Sequence, residues 1–305
     1  MKQKPRIFEL KNIPLDNYHL QLHEALFHNA NGYLGVRYDF EEGYPESCSY
    51  IRSQYINGFY NFARICQPEG LFGLAREKQV MLDIANTQSI KLLFDDESFS
   101  MFSGTVLESR LALDMNRGVT TRDVVWRSPQ GKESRIRVTR MASFYQLSLF
   151  TIEYEVEPLN FSGLIHLESD HDVNVENFFD PDDPRISDER VDGILPVSCE
   201  ILDGASYITS AATKSGLQVC SGVKNVVPDS WEQVFSITQS AASFRFQAEV
   251  QQNETVQFTK YAVFCDSVRC EDCKTQIQVE LQNALDIPLD ELYRRQADYL
   301  SEYWQ

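Results

Sequence analysis

The segment Ser134-Arg135-Ile136-Arg137-Val138-Thr139-Arg140-Met141 alternates polar and apolar side chains, which is the period of a strand with one buried face. The segment from Leu147 to Val156 also reads as a strand, and its aromatic residues favour that assignment over a helix. Turn-forming clusters follow at 116–118, 128–131 and 157–160. Because such segments recur from Val80 to about Asp266 with few helical stretches, the sequence predicts a mainly β fold, an antiparallel sandwich rather than βαβ units.

The end of the chain changes to a helical period. Apolar residues recur three or four apart in Glu271–Leu285 and again from Leu289, with Pro288 near the second start, so we expect helices over 271–286 and 288–304. The last aromatic pair, Tyr303-Trp304, lies on the apolar face of the second helix, and we expect this face to be bare in the chain, awaiting a missing partner or missing downstream sequence. The sequence thus predicts a sandwich domain over residues 1–268 and a helical linker over 269–305.

Composition limits the function. The 305 residues carry 28 Lys+Arg and 45 Asp+Glu, a formal charge of −17. Such a charge disfavours binding to nucleic acid and to anionic membranes, both of which select basic surfaces. The sequence has no secretory h-region and no run of about 18 apolar residues. Seven irregularly spaced cysteines are typical of reduced thiols, so we expect an acidic cytoplasmic protein.

Two patterns raise the question of a metal site. Cys270 and Cys273, with Cys265 nearby, are spaced as one half of a zinc or redox site, but a zinc site usually needs a second such pair. His19 and His23 stand four apart, yet the order of a zincin motif is absent. We therefore interpret both as structural residues and expect no metal.

Carboxylates and imidazoles give no clear active site. Asp170-His171-Asp172 is the one place where a histidine lies between carboxylates, as a mutarotase-type acid–base pair would require, but neighbours on a strand point to opposite faces. Glu41-Glu42 and Glu168 are available for glycoside cleavage, although nothing in their spacing singles them out. The acidic stretch 170–190, with its prolines, predicts a long solvated loop. From the residues alone, no catalytic group is assigned.

Two ordered blocks carry a resemblance to a known family. The first runs through Asn29–Arg37, Phe40–Gly43 and Gln54–Tyr60, and the second through Arg110–Gly118, Thr121-Arg122 and Trp126. Together they resemble glycoside hydrolase family 65, which contains maltose, trehalose and kojibiose phosphorylases and acid trehalases. The residues that carry the signature are Asn31, Gly32, Gly35, Arg37, Glu41, Tyr55, Gly58, Tyr60, Arg110, Asp114, Gly118 and Arg122.

The resemblance implies an architecture and a role. Family members begin with a large sandwich of the galactose-mutarotase type, and a helical linker then leads to an (α/α)6 barrel that holds the general-acid glutamate and the phosphate site. We therefore expect the catalytic residues beyond residue 305, and as partners that barrel, a disaccharide and a second copy of the chain. No cofactor is expected, with inorganic phosphate as the co-substrate. Gly32, Gly35 and Gly58, which match the family pattern, are expected at turns or close backbone approaches.

Three alternatives stay open. In the first, the parent protein is a trehalase-like hydrolase, in which barrel residues direct water rather than phosphate to the sugar. In the second, the chain is a free-standing carbohydrate-binding sandwich, with Trp126 and Trp231 as the candidate contacts. In the third, the chain is a mutarotase-like epimerase that uses His171.

Overall fold

The structure is a computed structural model that describes residues 6–65, 72–180 and 191–305. Within them the chain is predominantly β, as the sequence predicts. In chain order the strands and helices are β1 Ile7–Lys11, α1 Asn17–Leu26, β2 Asn29–Ala30, β3 Leu34–Val36, β4 Gln54–Ile56, β5 Tyr60–Arg64, β6 Glu77–Met81, β7 Ile90–Phe94, β8 Glu97–Ser98, β9 Thr105–Asp114, β10 Val119–Arg127, β11 Glu133–Ala142, β12 Leu149–Pro158, β13 Gly163–Asp172, β14 Ile194–Leu202, β15 Ala205–Ala212, β16 Gln218–Val226, β17 Glu232–Ile237, β18 Ala241–Val250, β19 Val256–Asp266, α2 Cys273–Leu285 and α3 Leu289–Tyr303.

A nine-stranded antiparallel sheet forms the centre of the fold. Its strand order is β1-β9-β10-β11-β12-β19-β16-β15-β14, so β19 lies between two halves that come from earlier parts of the chain. The segment 134–141 belongs to β11, whose Val138 pairs with Arg122 of β10 and Tyr154 of β12. The predicted strand period and the antiparallel arrangement are confirmed.

A five-stranded sheet covers one face of this large sheet. Its order is β17-β18-β13-β7-β8, and its inward side chains share one apolar core with the nine-stranded sheet. Ring centroids of Phe246 and Phe258 lie 5.6 Å apart across the interface, and those of Phe94 and Trp126 lie 5.9 Å apart. Two layers of antiparallel strands around one core are the sandwich that the alternating sequence predicts.

The two C-terminal helices cover the opposite face of the large sheet. Ile277 and Leu281 of α2 and Leu292 of α3 are buried in a second cluster with Leu149 and Val263. Both helices lie within about two residues of their predicted bounds. The expectation of a bare apolar face on α3 is wrong, because the sandwich itself buries that face.

The end of α3 is also held by the chain's own residues. The indole of Trp304 donates to the carbonyl of Met115 over 2.9 Å, and the guanidinium of Arg6 lies 4.2 Å from its ring. Only Tyr303 of the aromatic pair is largely exposed, at 69%. Among the helices that the structure describes, none is both long and apolar enough to cross a membrane.

A helix before the sandwich strands was not predicted. The helix α1 begins after Asp16, whose side chain accepts a hydrogen bond from the backbone N–H of His19. It buries Leu20 and His23. The expectation that major helices occur only after residue 268 is therefore wrong, although the aspartate N-cap was visible in the sequence.

The expectations for glycines and for the acidic loop are met in part. Gly32 and Gly58 have φ of 88° and 82°, the conformation expected of turn glycines. Gly35 lies in β3, and a β-carbon there would meet no atom within 4 Å, so its expected turn or close approach is wrong. The acidic loop, predicted to begin at residue 170, begins later, because β13 continues to Asp172. Residues 181–190 of that loop and Cys66 lie outside the described part of the chain.

Candidate functional site

Glu41, Arg122 and Arg140 form a buried ion cluster between the N-terminal segment and the large sheet. Nη2 of Arg122 lies 2.6 Å from a carboxylate oxygen of Glu41 and 2.6 Å from one of Glu42. Nε of Arg140 donates to the other oxygen of Glu41 over 2.6 Å. All four side chains are at most 2% exposed. Glu41 and Arg122 come from the two separate signature blocks, and the fold brings them into direct contact.

Electrostatics keep this cluster charged. Burial alone would lower the pKa of Arg122, but the carboxylates of Glu42 and Glu41 raise it well above its usual value. The guanidinium also lies 4.8 Å from the ring centroid of Phe40. Both oxygens of Glu41 are held in hydrogen bonds and sealed from solvent, so this carboxylate cannot reach a substrate. The cluster is a structural element that ties residues 39–42 to β10 and β11.

A second group of buried charges lies beside the cluster. Arg37 pairs with Glu24 over 3.3 Å, and the backbone N–H of Ile51 donates to the same carboxylate over 2.7 Å. Burial raises the pKa of Glu24 despite these partners. Arg52 pairs with Asp39, and burial, followed by the charge of Arg140, lowers the pKa of Arg52 to about 10. The signature residue Arg37 therefore also acts inside the fold.

The segment 50–52, which ends at Arg52, borders a polar pocket of about 520 Å³. The polar groups of its lining come from Arg52, Asp83, Asn86, Asp172, Asn174, Glu176 and Asn177, and the rings of Tyr50 and Phe178 also line it. Burial raises the pKa of Asp83 well above its usual value, although the backbone N–H of Gln54 donates to it over 2.7 Å. A concave surface lined by polar and aromatic side chains offers hydrogen-bond partners and stacking surfaces to a small molecule.

A wider groove of about 1140 Å³ runs along one side of α2, between that helix and the loop residues 32–33 and 145–148. Tyr33 of the first signature block lines it and donates from its hydroxyl to Asp266 over 3.0 Å. Asp266 also pairs with Arg269 over 2.9 Å. At one end of the groove, Cys265 and Cys270 approach Cys273, so that the three Sγ atoms lie within 4.8 Å of one another. The sequence places Cys265 near the Cys-x-x-Cys pair, but only the fold shows that this thiol, which comes from a strand, completes a group of three.

The remaining polar signature residues make hydrogen bonds and ion pairs at turns and at the edge of the large sheet. The amide of Asn31 donates to the carbonyls of Ser143 and Leu147 over 2.7 and 2.9 Å. The carboxylate of Asp114 accepts the backbone N–H of Asn116 over 3.0 Å, which fixes the turn before β10. Arg110 pairs with Glu9 across the exposed β1–β9 edge over 2.8 Å.

The last signature positions are also structural. Tyr55 in β4 pairs with Gly35 in β3, and Tyr60 is the first residue of β5. Gly118 lies under α3, where an added β-carbon would approach Gln296 to 2.7 Å.

The structure does not support a catalytic role for His171. Its ring nitrogens lie 2.9 Å from Oγ of Ser206 and 2.7 Å from Oγ of Ser221, in the core between the sheets. Burial, followed by the charge of Lys260, lowers its pKa to about 3. Because His171 lies on a strand, its neighbours point to the opposite face, as alternation requires. The mutarotase-like alternative thus loses its acid–base group.

Other candidates occupy structural positions as well. His23 is buried on α1, and the carboxylate of Glu168 pairs with Arg245 over 2.8 Å. Trp126 is fully buried, so it cannot stack on a sugar, whereas Trp231 is half-buried just before β17. The sugar-binding alternative therefore keeps only one of its two tryptophans.

Sequence reasoning also missed charged residues that lie inside the sandwich. Arg140 shares the buried face of β11 with Ile136 and Val138, and the alternation in the sequence indicates this placement. Lys260 stands in the apolar run of β19, where it donates to the carbonyls of Asp170 and Ser89 over 2.6 and 3.1 Å. Burial lowers its pKa to about 7.

Comparison of the sequence with known proteins gives a consistent result. The family described as "Glycosyl hydrolase family 65, N-terminal domain" matches residues 11–303. An alpha,alpha-trehalose phosphorylase of Geobacillus stearothermophilus is 30% identical over 286 residues, which cover 92% of this chain and 37% of the relative. A kojibiose phosphorylase of Halothermothrix orenii is 26% identical over 199 residues, 64% of this chain and 22% of that protein. The chain spans about 37% of the length of the trehalose phosphorylases that it matches.

Comparison of folds agrees. A solved structure described as a candidate kojibiose phosphorylase from the human microbiome superposes with a TM-score of 0.82. The match covers 97% of this chain and 38% of the other, at 15% sequence identity. At that identity the likeness concerns the fold alone, and the fold is that of the sandwich with its two C-terminal helices.

Proposed function

The chain belongs to glycosyl hydrolase family 65, as its N-terminal domain, and from this membership we propose that it is the non-catalytic β-sandwich domain of a glycoside phosphorylase. The parent enzyme cleaves an α-glucosidic disaccharide with inorganic phosphate and inverts the anomeric centre, which gives β-glucose 1-phosphate and a free sugar. Phosphate takes the place of the attacking water in this mechanism, so one general acid suffices and no base is needed. That acid and the phosphate site belong to the expected barrel.

The location of the signature charges carries this proposal. Glu41 and Arg122 are buried, Arg37 is partly buried, and each of these signature charges is paired inside the domain. A catalytic carboxyl group would instead face the bond that it protonates. The names of the relatives support phosphorolysis, since both trehalose and kojibiose phosphorylases match this chain.

The packing of α2 and α3 on the sandwich supports a role for this domain in orienting the barrel. Both α2 and α3 pack on the large sheet through Ile277, Leu281 and Leu292, so the end of the chain has a fixed direction relative to the sandwich. A barrel that follows α3 would be oriented by that contact. The wide groove and the polar pocket then offer surfaces for loops of the barrel or for a second copy.

The experiment compares residues 1–305 with the longer gene product. Each is incubated with trehalose, kojibiose, maltose or nigerose plus inorganic phosphate, and glucose 1-phosphate is assayed. We expect no turnover by residues 1–305 and phosphate-dependent turnover by the longer protein. Glucose release by the longer protein without phosphate would instead favour the trehalase-like hydrolase. Enzyme-like turnover by residues 1–305 would overturn the non-catalytic role.

The polar pocket favours sugar contact as a second candidate function. Asp172 holds Asn174 over 2.7 Å, and Asn177 accepts the backbone N–H of Asp83 over 3.0 Å, so the lining is preorganised. Titration calorimetry of residues 1–305 with trehalose and with kojibiose tests it. Binding that Asp172→Asn weakens would support a sugar-contact role, whereas no heat at millimolar sugar would contradict it.

A further inference from the structure

We propose that Cys265, Cys270 and Cys273 form a binding site for one thiophilic metal ion of the zinc type. The three Sγ atoms lie within 4.8 Å of one another, and each thiol offers one ligand atom. Zinc–sulfur bonds of about 2.3 Å set the sulfur atoms of a tetrahedral site roughly 4 Å apart. Small side-chain rotations therefore bring the three sulfurs to ligand positions without a change in the backbone.

Regular elements hold these ligands in place. Cys265 lies on β19 next to its last residue, and Cys273 is the first residue of α2. The turn between them is fixed by hydrogen bonds from the backbone N–H groups of Arg269 and Cys270 to the carbonyl of Asp266, over 3.2 and 3.0 Å. Two ligands from a Cys-x-x-Cys turn and a third from an adjacent strand are an arrangement that suits a tetrahedral metal site.

The surroundings favour thiolate ligands once a metal is present. Cys273 lies at the N-terminus of a 13-residue helix, whose partial positive charge stabilises a thiolate. Zinc binds cysteine as the thiolate, so binding of an ion releases protons to solvent. Cys265 and Cys270 line the wide groove, which leaves a side open for a fourth ligand from water.

Cys220 lies beside the site, where its thiol interacts with Cys273 and with Thr209. It pairs with Cys265 across the β16–β19 ladder, but its sulfur lies 3.2 Å from the hydroxyl of Thr209. An ion at the three cysteines would join the end of β19 to the start of α2. It would therefore fix the angle at which the linker leaves the sandwich, which is a structural role rather than a catalytic one.

Cobalt and zinc are the probes. The 305-residue chain is reduced with a phosphine, freed of reductant and titrated with Co²⁺. We expect one Co²⁺ per chain, with a thiolate-to-cobalt charge-transfer band and the visible bands of a tetrahedral site, both lost when Zn²⁺ is added. Cys270→Ser and Cys273→Ser should each raise the apparent dissociation constant by more than about 10-fold, since even outer partners of a metal contribute that much. The matched controls Cys48→Ser and Cys199→Ser remove thiols outside the cluster and should bind like the parent chain.

Two results would overturn the site. One is the absence of a charge-transfer band in the fully reduced chain, and the other is equal Co²⁺ affinity in the cluster and control variants. Circular dichroism verifies the fold of each variant. If Cys273→Ser does not fold, Cys270→Ser carries the comparison, because Cys270 is only half-buried. In the unsubstituted chain Zn²⁺ should also protect the cluster thiols from alkylation, and full alkylation in its presence would likewise contradict the proposal.

Discussion

Glu41→Gln tests whether the buried ion cluster holds the N-terminal segment to the large sheet. The substitution preserves the shape of the side chain and removes the charge that Arg122 and Arg140 both face. Arg122 keeps the carboxylate of Glu42, but Arg140 is left with the neutral acceptors of Gln88 and a backbone carbonyl. Removing one partner of a buried ion pair costs about 3–5 kcal/mol, because the other charge stays buried without compensation.

Thermal unfolding followed by circular dichroism measures this cost. For a chain of this size roughly 2 °C corresponds to 1 kcal/mol, so we expect the midpoint of Glu41→Gln to fall by about 6–10 °C. The matched control is Glu133→Gln, which removes a carboxylate that pairs with Arg127 over 2.7 Å at the surface. Surface pairs contribute about 0–1 kcal/mol, so the control should melt within about 2 °C of the parent. A Glu41→Gln midpoint no lower than that of the control would refute the reasoning.

Two further predictions concern packing and pH. Gly118→Ala places a methyl group 2.7 Å from Gln296 and from Leu300 at a φ of 62°, so it should lower the free energy of unfolding by about 1–3 kcal/mol and speed proteolysis within α3. The control Gly35→Ala places its methyl group in open space and should leave the thermal midpoint unchanged. Equal losses of stability in both variants would contradict the packing argument. Burial lowers the pKa of His171 to about 3, so between pH 6.5 and 3 the unfolded chain binds a proton that the folded chain does not. Its free energy of unfolding, from urea titrations, should therefore fall with decreasing pH by at most about 1.4 kcal/mol per pH unit from this group, and His171→Gln should flatten that dependence; parallel curves for the two proteins would argue against it.

The strands and the two C-terminal helices could be predicted because each depends on a local pattern. The alternation in β11 and the three-to-four spacing in α3 both record which side chains face the core. Their partners are not local. The burial of the α3 face depends on Gly118, whose missing side chain lets Gln296 approach the sheet, and no period in the sequence indicates that contact.

The ion cluster could be predicted only in part. The resemblance marked Glu41 and Arg122, but their contact spans 81 positions and depends on the sheet having formed. The alternation placed Arg140 on the buried face, which was evidence of a charge that needs a partner. The sequence shows Cys265 near Cys270 and Cys273, but it does not show that the three thiols meet, because Cys265 belongs to a strand and only the turn after β19 returns the other two to it.

The central position of β19 has a consequence for how the domain is made. This is the last strand that the structure describes, yet it pairs with β12 on one side and β16 on the other. Until residues 256–266 have left the ribosome, the large sheet consists of two separate pieces, each with an open edge. Such edges pair readily with other chains, and incomplete folds aggregate through them. During synthesis the domain is therefore most vulnerable just before its sheet can close, and its yield in a cell depends on keeping unfinished copies apart for that interval.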